Sequence, residues 1–159
     1  IIYETRLNAY APLQPEAEVT NTVTVSGTCI TGITATETIS AVAEPVLSIT
    51  KSVSPVPVTE CGRLTYTFVI QNIGNAPAVP ATEALVTDTF DPILRDLTVT
   101  FNGASWSAPA NYTYNETTGV FTTILGEVTV PAATYTQDPV TGAWITSPGV
   151  STLIVTGTI

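Results

Sequence analysis

Apolar residues alternate with threonine and serine along most of the chain, with a period of two. Residues 19–25 read Val-Thr-Asn-Thr-Val-Thr-Val, and similar alternation recurs up to the last residue. The pattern is typical of strands with one buried face, and no segment has the period of an amphipathic helix. It predicts strands over residues 1–10, 19–25, 33–42, 46–53, 64–73, 84–90, 97–101, 120–124, 143–145 and 151–159.

Short loops with turn residues separate these segments. Asn102-Gly103 predicts a tight hairpin turn, because both residues tolerate positive φ. The chain contains 31 Thr, 18 Val and 13 Ile, and β-branched residues of this kind favour pleated surfaces. Short strands at this spacing predict an all-β fold, an immunoglobulin-like β-sandwich.

Proline positions divide the chain into two parts. Pro45 cannot donate a hydrogen bond within a central strand, so we place a boundary there. Residues 1–44 are predicted to form an N-terminal arm of about three strands. Residues 46–159 are predicted to form the sandwich body.

Composition excludes several classes of function. The net charge of −9, with one lysine, does not suit electrostatic binding of nucleic acid. The chain has no histidine, the commonest general base and metal ligand, and its two cysteines cannot form a four-thiolate zinc site. No apolar run approaches the roughly 18 residues that cross a bilayer. We therefore expect no enzyme activity, no metal or cofactor, and no membrane span.

Cysteine and lysine usage suggests a compartment. Two cysteines, no methionine, one lysine and abundant threonine are typical of an extracellular or cell-surface protein.

Residues 47–90 carry a recognisable pattern. It comprises an opening strand with a lysine, a glycine before an aromatic-rich strand, an Asn-x-Gly-Asn turn and a strand ending in Thr-Asp; these are Lys51, Gly62, Tyr66, Asn72, Gly74, Asn75, Thr87 and Asp88. The pattern resembles the repeat domain of bacterial and archaeal surface proteins known as the eleventh domain of unknown function. The resemblance implies an immunoglobulin-like fold and a surface or stalk role, without catalysis.

The order of the segments is unusual for that family. The segment that resembles the end of the repeat, 19–44, precedes the segment that resembles its beginning, 46–90. We therefore expect 46–159 to be an incomplete sandwich with unpaired edges, which a strand from another chain can complete. The donated apolar face would consist of Val19, Val23, Val25, Ile33 and Ile39.

Strand donation between copies predicts a head-to-tail homopolymer, and hence a structural subunit of an extracellular filament. The alternatives are a shortened multidomain protein and a circularly permuted monomer that completes itself. An alternative function is an adhesin or stalk repeat that binds host or surface glycans or proteins. Its candidate platform is a set of aromatic residues, which hairpin packing also explains: Trp106, Tyr112, Tyr114, Phe121, Tyr135 and Trp144.

Lys51 shares its strand parity with apolar residues, so its side chain should point inward. A buried lysine needs compensation. One hypothesis is an amide bond from Lys51 to Asn21, with Asp88 shuttling protons and Asn72 as the alternative acceptor, as occurs in Gram-positive pilin domains. The other is an ion pair between Lys51 and Asp88.

Cys29 and Cys61 both lie at turns beside glycines. In an oxidising compartment they are predicted to form a disulfide, either within one chain or between the arm of one subunit and the body of the next. Two free thiols are the alternative.

Overall fold

The computed structural model of the protein describes residues 4, 6, 8, 10–57, 59 and 61–159. Within these residues the chain forms a 3₁₀ turn, Pro80–Thr82, and twelve β-strands, with no α-helix. The strands are β1 Glu18–Gly27, β2 Ile30–Ser40, β3 Leu47–Ser54, β4 Arg63–Asn72, β5 Thr87–Thr89, β6 Arg95–Phe101, β7 Ala104–Trp106, β8 Tyr112–Asn115, β9 Val120–Thr123, β10 Thr134–Gln137, β11 Trp144–Ser147 and β12 Gly149–Thr158.

Two antiparallel sheets form the body. The larger has five strands in the order β3-β4-β12-β6-β7, and the smaller has three in the order β5-β9-β8. Side chains of β4 and β12 alternate between buried and less buried positions, as the period-two pattern predicts. The prediction of an all-β protein is confirmed, and the body is sandwich-like. The immunoglobulin-like topology stays a prediction.

The core lies between these two sheets and is rich in aromatic residues. The Phe90 ring lies 4.8 Å from the ring of Tyr66 and 5.8 Å from that of Phe121. Tyr112 packs 5.2 Å from Phe121, and the Tyr114 hydroxyl donates to the Leu94 carbonyl at 2.8 Å. Trp106 stacks on Phe101 at 4.6 Å. Four of the six residues considered for a glycan platform therefore contribute to the packing of the body.

The buried tyrosines predict a loss of stability at alkaline pH. Burial raises the pKa of Tyr112 and of Tyr114 above the usual 10.0, so each phenol ionises more easily in the unfolded chain. Their contribution to stability is complete below pH 10 and declines as the pH rises through the folded-state pKa. Thermal unfolding between pH 8 and 11 should show this decline. Tyr112→Phe should make it shallower, because it removes one of the two buried phenols.

The arm differs from the body. β1 and β2 form a two-stranded antiparallel sheet of their own, and every residue of both strands is exposed. Of the three arm strands predicted, these correspond to two; the predicted strand over 1–10 lies largely outside the described residues. A second separate hairpin, β10–β11, lies in the C-terminal half.

A clamped linker joins the arm to the body. The residues between β2 and β3 run against the turn after β4 through four hydrogen bonds: Glu44 N to Asn75 Oδ1, Val46 N to Asn72 Oδ1, Ile73 N to Val46 O and Ala76 N to Glu44 O, at 2.9–3.3 Å. A Cβ at Gly74 would collide with the Glu44 carbonyl oxygen, so this close approach requires glycine. The linker therefore has a fixed path where it enters β3.

Candidate functional site

One face of the β1–β2 hairpin is mostly apolar, and its large side chains are exposed. The register pairs Val19 with Ile39, Val23 with Ala35 and Val25 with Ile33, and directly opposed residues share a face. All five residues of the predicted donor face thus lie on one side of the hairpin. Each is exposed, from 37% for Val19 to 64% for Ile33.

The other face of the hairpin consists largely of threonine. Thr20 and Thr38 share a hydrogen bond of 3.0 Å across the strands, and Thr22 and Thr36 share one of 3.1 Å. Hydroxyl pairs of this kind suit a face that stays in water. The hairpin therefore has two chemically distinct faces, and an isolated two-stranded hairpin is only marginally stable in water.

The body has an apolar edge that is equally uncovered. Within the described part of the chain, β3 is an edge strand of the five-stranded sheet and β5 is an edge strand of the three-stranded sheet. Leu47, Ile49 and Val53 lie opposite buried residues of β4 and so share the inward face. They are nevertheless 39–51% exposed. The smaller sheet does not extend far enough to cover them.

A groove of about 150 Å³ opens at this edge. Its lining is mostly apolar and comes from β3, β4 and the segments before β5 and β10: Leu47, Ser48, Ile49, Ile70, Ala84, Leu85, Val86 and Val128. The apolar lining suits the side chains of an added strand.

Lys51 and Asp88 lie together at the same edge. Lys51 Nζ is 2.5 Å from Asp88 Oδ2, and it lies over the rings of Tyr66, Phe90 and Phe68 at 4.6, 5.6 and 5.7 Å. Asp88 Oδ2 is buried and, within the described structure, makes no aligned hydrogen bond. The ammonium charge is therefore its compensation, and the rings add cation–π attraction.

Asn72 lies away from the Lys51–Asp88 pair, and its side chain bonds to the backbone. It pairs with Leu47, four positions from Lys51, or about 13 Å along the strand. Its Oδ1 accepts from the backbone N–H of Val46 and of Gly74, both at 2.9 Å. Its Nδ2 donates to the carbonyls of Ala76 and Pro131 at 2.8 and 3.0 Å. This fully buried amide ties the linker to the body.

Asn21, the other candidate acceptor, lies in the middle of β1 on the apolar face of the hairpin. Its cross-strand neighbour there is Glu37, which the sequence analysis did not single out. Counting outward from the turn pair Gly27 and Ile30 would place Asn21 opposite Thr36, and the register shift between Val25 and Gly27 brings Glu37 there instead. The apolar face therefore carries one polar pair, Asn21 with Glu37.

Both cysteines are free thiols and exposed. Cys29 lies at the tip of the β1–β2 hairpin and Cys61 in the loop between β3 and β4. Each stands at the end of a projecting turn, accessible to a thiol of another molecule.

The described residues contain no group of three or more His, Cys, Asp or Glu side chains placed to hold a metal ion. None of their helical structure has the length and apolar character needed to cross a membrane. Comparison with protein-family models, curated proteins and solved structures finds no match to this chain.

Proposed function

We propose that this protein is a structural subunit of an extracellular or cell-surface filament. Each copy donates its β1–β2 hairpin to the uncovered edge beside β3 of the next copy, and the subunits join head to tail. No catalytic step is involved.

The observation that carries the proposal is that one chain has two exposed apolar surfaces, one on the hairpin and one at the edge of the body. The hairpin exposes an apolar face that Asn21 and Glu37 interrupt, and the edge at β3 and β5 exposes an apolar groove. Exposed patches of this kind mark interaction sites, and unpaired strand edges add backbone hydrogen bonding. A second copy of the chain supplies both the shape and the chemistry that the groove lacks.

The number of strands is consistent with this occupant. The two sheets of the body have three and five strands, so the smaller sheet is two strands short of the larger one. The hairpin has two strands and one mostly apolar face. Added to the free edge of β5, it would extend the smaller sheet over β3 and give five strands over five. The threonine face would then stay toward solvent, as its hydroxyl pairs favour.

A clamped linker and two different surfaces favour a head-to-tail contact between copies. The hydrogen bonds of residues 44 and 46 to the turn after β4 fix the path by which the chain enters β3. A donor surface and a different acceptor surface form a heterologous contact, and such contacts give open filaments when the rotation does not close. The resemblance of 19–44 to the end of a surface repeat is in agreement with this use.

Electron microscopy of the purified full chain tests the proposal. We expect filaments with a regular subunit repeat, together with a concentration-dependent rise in light scattering. Deletion of residues 1–44, which removes the hairpin, should abolish them. A monodisperse monomer at high concentration would contradict the proposal, and glycan binding by that monomer would favour the adhesin or stalk alternative.

A further inference from the structure

The sequence contains two Asn-x-Thr tripeptides, Asn111-Tyr112-Thr113 and Asn115-Glu116-Thr117. This tripeptide is the acceptor signal for N-linked glycosylation, although so short a motif also occurs by chance. A transferase must reach both the asparagine amide nitrogen and the hydroxyl two residues later. The structure therefore distinguishes the two tripeptides by their accessibility.

Both polar atoms of the Asn111 side chain are already bonded. Its Nδ2 donates to Glu127 Oε2 at 2.7 Å, and its Oδ1 accepts from the backbone N–H of Ser107 at 3.1 Å. A hydrogen bond to a carboxylate is among the stronger ones in proteins. The middle residue of this tripeptide, Tyr112, is 7% exposed and packs against Phe121 in the core. Access to Asn111 would therefore require breaking this bond and displacing a core residue.

Asn115 presents the opposite situation. Asn115, Glu116 and Thr117 are all exposed, at the turn that joins β8 to β9. Asn115 Oδ1 accepts from the backbone N–H of Thr117 at 2.9 Å and of Thr118 at 3.2 Å. In the described part of the chain, the hydrogen bonds of this side chain all involve Oδ1. The amide nitrogen is therefore available to a reacting molecule.

We propose that Asn115 is an acceptor site for an N-linked glycan, and that Asn111 is not modified in the folded chain. The donor is an oligosaccharide joined through phosphate to a polyprenyl lipid. N-linked glycans occur on the surface of secreted proteins. This inference therefore rests on the extracellular or cell-surface location in the proposed function, and it adds a modification to that surface.

The transfer forms one bond and breaks one. Nδ2 of Asn115 attacks C1 of the first sugar, the bond between C1 and the phosphate oxygen breaks, and the lipid phosphate leaves with the bonding electron pair. One Nδ2 proton passes to a base of the transferase. Nothing is oxidised or reduced.

The turn favours this step. An amide nitrogen is a poor nucleophile, because its lone pair is delocalised into the carbonyl group. Loss of a proton from Nδ2 would place negative charge on Oδ1, where the N–H groups of Thr117 and Thr118 already donate. Donors positioned at developing charge stabilise it. The folded turn therefore holds the amide in an arrangement that assists proton loss.

The position of Asn115 is compatible with the proposed filament. Asn115 is the last residue of β8, and among the described strands β8 is the edge of its sheet away from β5, with β9 between them. The donated hairpin would lie beside β5, so a glycan on Asn115 would stay outside that contact. A bulky hydrophilic glycan at the free edge of β8 would also hinder unwanted pairing of that edge.

Peptide mapping of the protein isolated from its own cells tests the site. We expect a sugar mass on Asn115 and none on Asn111. Enzymatic release of the glycan should convert Asn115, and not Asn111, to aspartate, which fragment masses locate. An unmodified Asn115 would overturn the inference, and equal modification of Asn111 would overturn the distinction drawn from the structure.

Two matched variants test whether the tripeptide directs the sugar. Thr117→Val removes the exposed hydroxyl but keeps the backbone N–H that donates to Asn115, so the turn should persist while the glycan is lost. Thr113→Val makes the same change in the other tripeptide, also at an exposed position, and should leave Asn115 modified. Intact mass measures the fraction of modified chains. Equal occupancy of Asn115 in the two variants would contradict the proposal.

Failure of this inference is distinguishable from failure of the filament function. Filaments formed by chains with an unmodified Asn115 would overturn this inference alone. Chains that carry the glycan on Asn115 but do not associate would support it and contradict the filament function.

Discussion

Val23→Glu should abolish filament formation while leaving the isolated subunit as stable as before. Val23 is 57% exposed on the apolar face of the hairpin, so the substitution removes little packing within one chain. In the docked hairpin the new carboxylate would be buried against the apolar edge of the next copy, which costs several kcal/mol without a partner. Since 1.4 kcal/mol is a factor of about ten, the critical concentration should rise by at least about a hundred-fold.

Thr22→Glu is the matched control for this experiment. Thr22 is adjacent in sequence but lies on the threonine face, where its hydroxyl pairs with Thr36. The same charge would remain in water in the filament, so assembly should change little. Light scattering and electron microscopy measure both variants, and thermal unfolding verifies the fold. Equal loss of assembly in the two variants would show that net charge, and not the apolar face, governs association.

The second large effect should come from Asn72→Ala. The substitution removes four hydrogen bonds from a fully buried site and leaves two backbone N–H groups and two carbonyls without that partner. Each buried unsatisfied group costs about 1–3 kcal/mol, partly relieved by water, so we expect a loss of about 3–5 kcal/mol in the free energy of unfolding. Urea denaturation measures it.

Gln71→Ala is the control at the neighbouring, exposed position of β4, where the change should stay within about 0.5 kcal/mol. Asn72→Asp distinguishes the role of the amide oxygen, which accepts two hydrogen bonds, from that of the amide nitrogen, which donates two. It keeps the acceptor but places a carboxylate oxygen against the carbonyls of Ala76 and Pro131, which raises its pKa when folded. That variant should therefore gain stability as the pH falls through its carboxyl pKa. A loss below about 1 kcal/mol for Asn72→Ala would contradict the clamp.

Local pattern was sufficient to predict much of the secondary structure. The segment predicted over 19–25 is β1, Glu18–Gly27, and that over 64–73 is β4, Arg63–Asn72. The Asn102-Gly103 turn is confirmed: both residues have positive φ, and the turn joins β6 to β7. These features are set by neighbours in sequence, because alternation and turn conformation depend on a few adjacent residues.

The short strands were harder to predict. Residues 84–90 were predicted as one strand, but β5 spans only Thr87–Thr89. The predicted segment 143–145 corresponds to β11, Trp144–Ser147, which begins one residue later and ends two residues later. In such segments the limits depend on which partner strand is available, and local pattern does not contain that information.

The sequence by itself determined the alternation that makes this an all-β chain, the inward parity of Lys51 and the apolar face of the hairpin. Only the tertiary structure decided that Lys51 meets Asp88, that Glu37 stands opposite Asn21 and that the edge at β3 is left uncovered. The physical reason is the range of the interactions. Side-chain parity follows from the pleat of a single strand, whereas partners and uncovered edges arise from pairing between segments tens of residues apart.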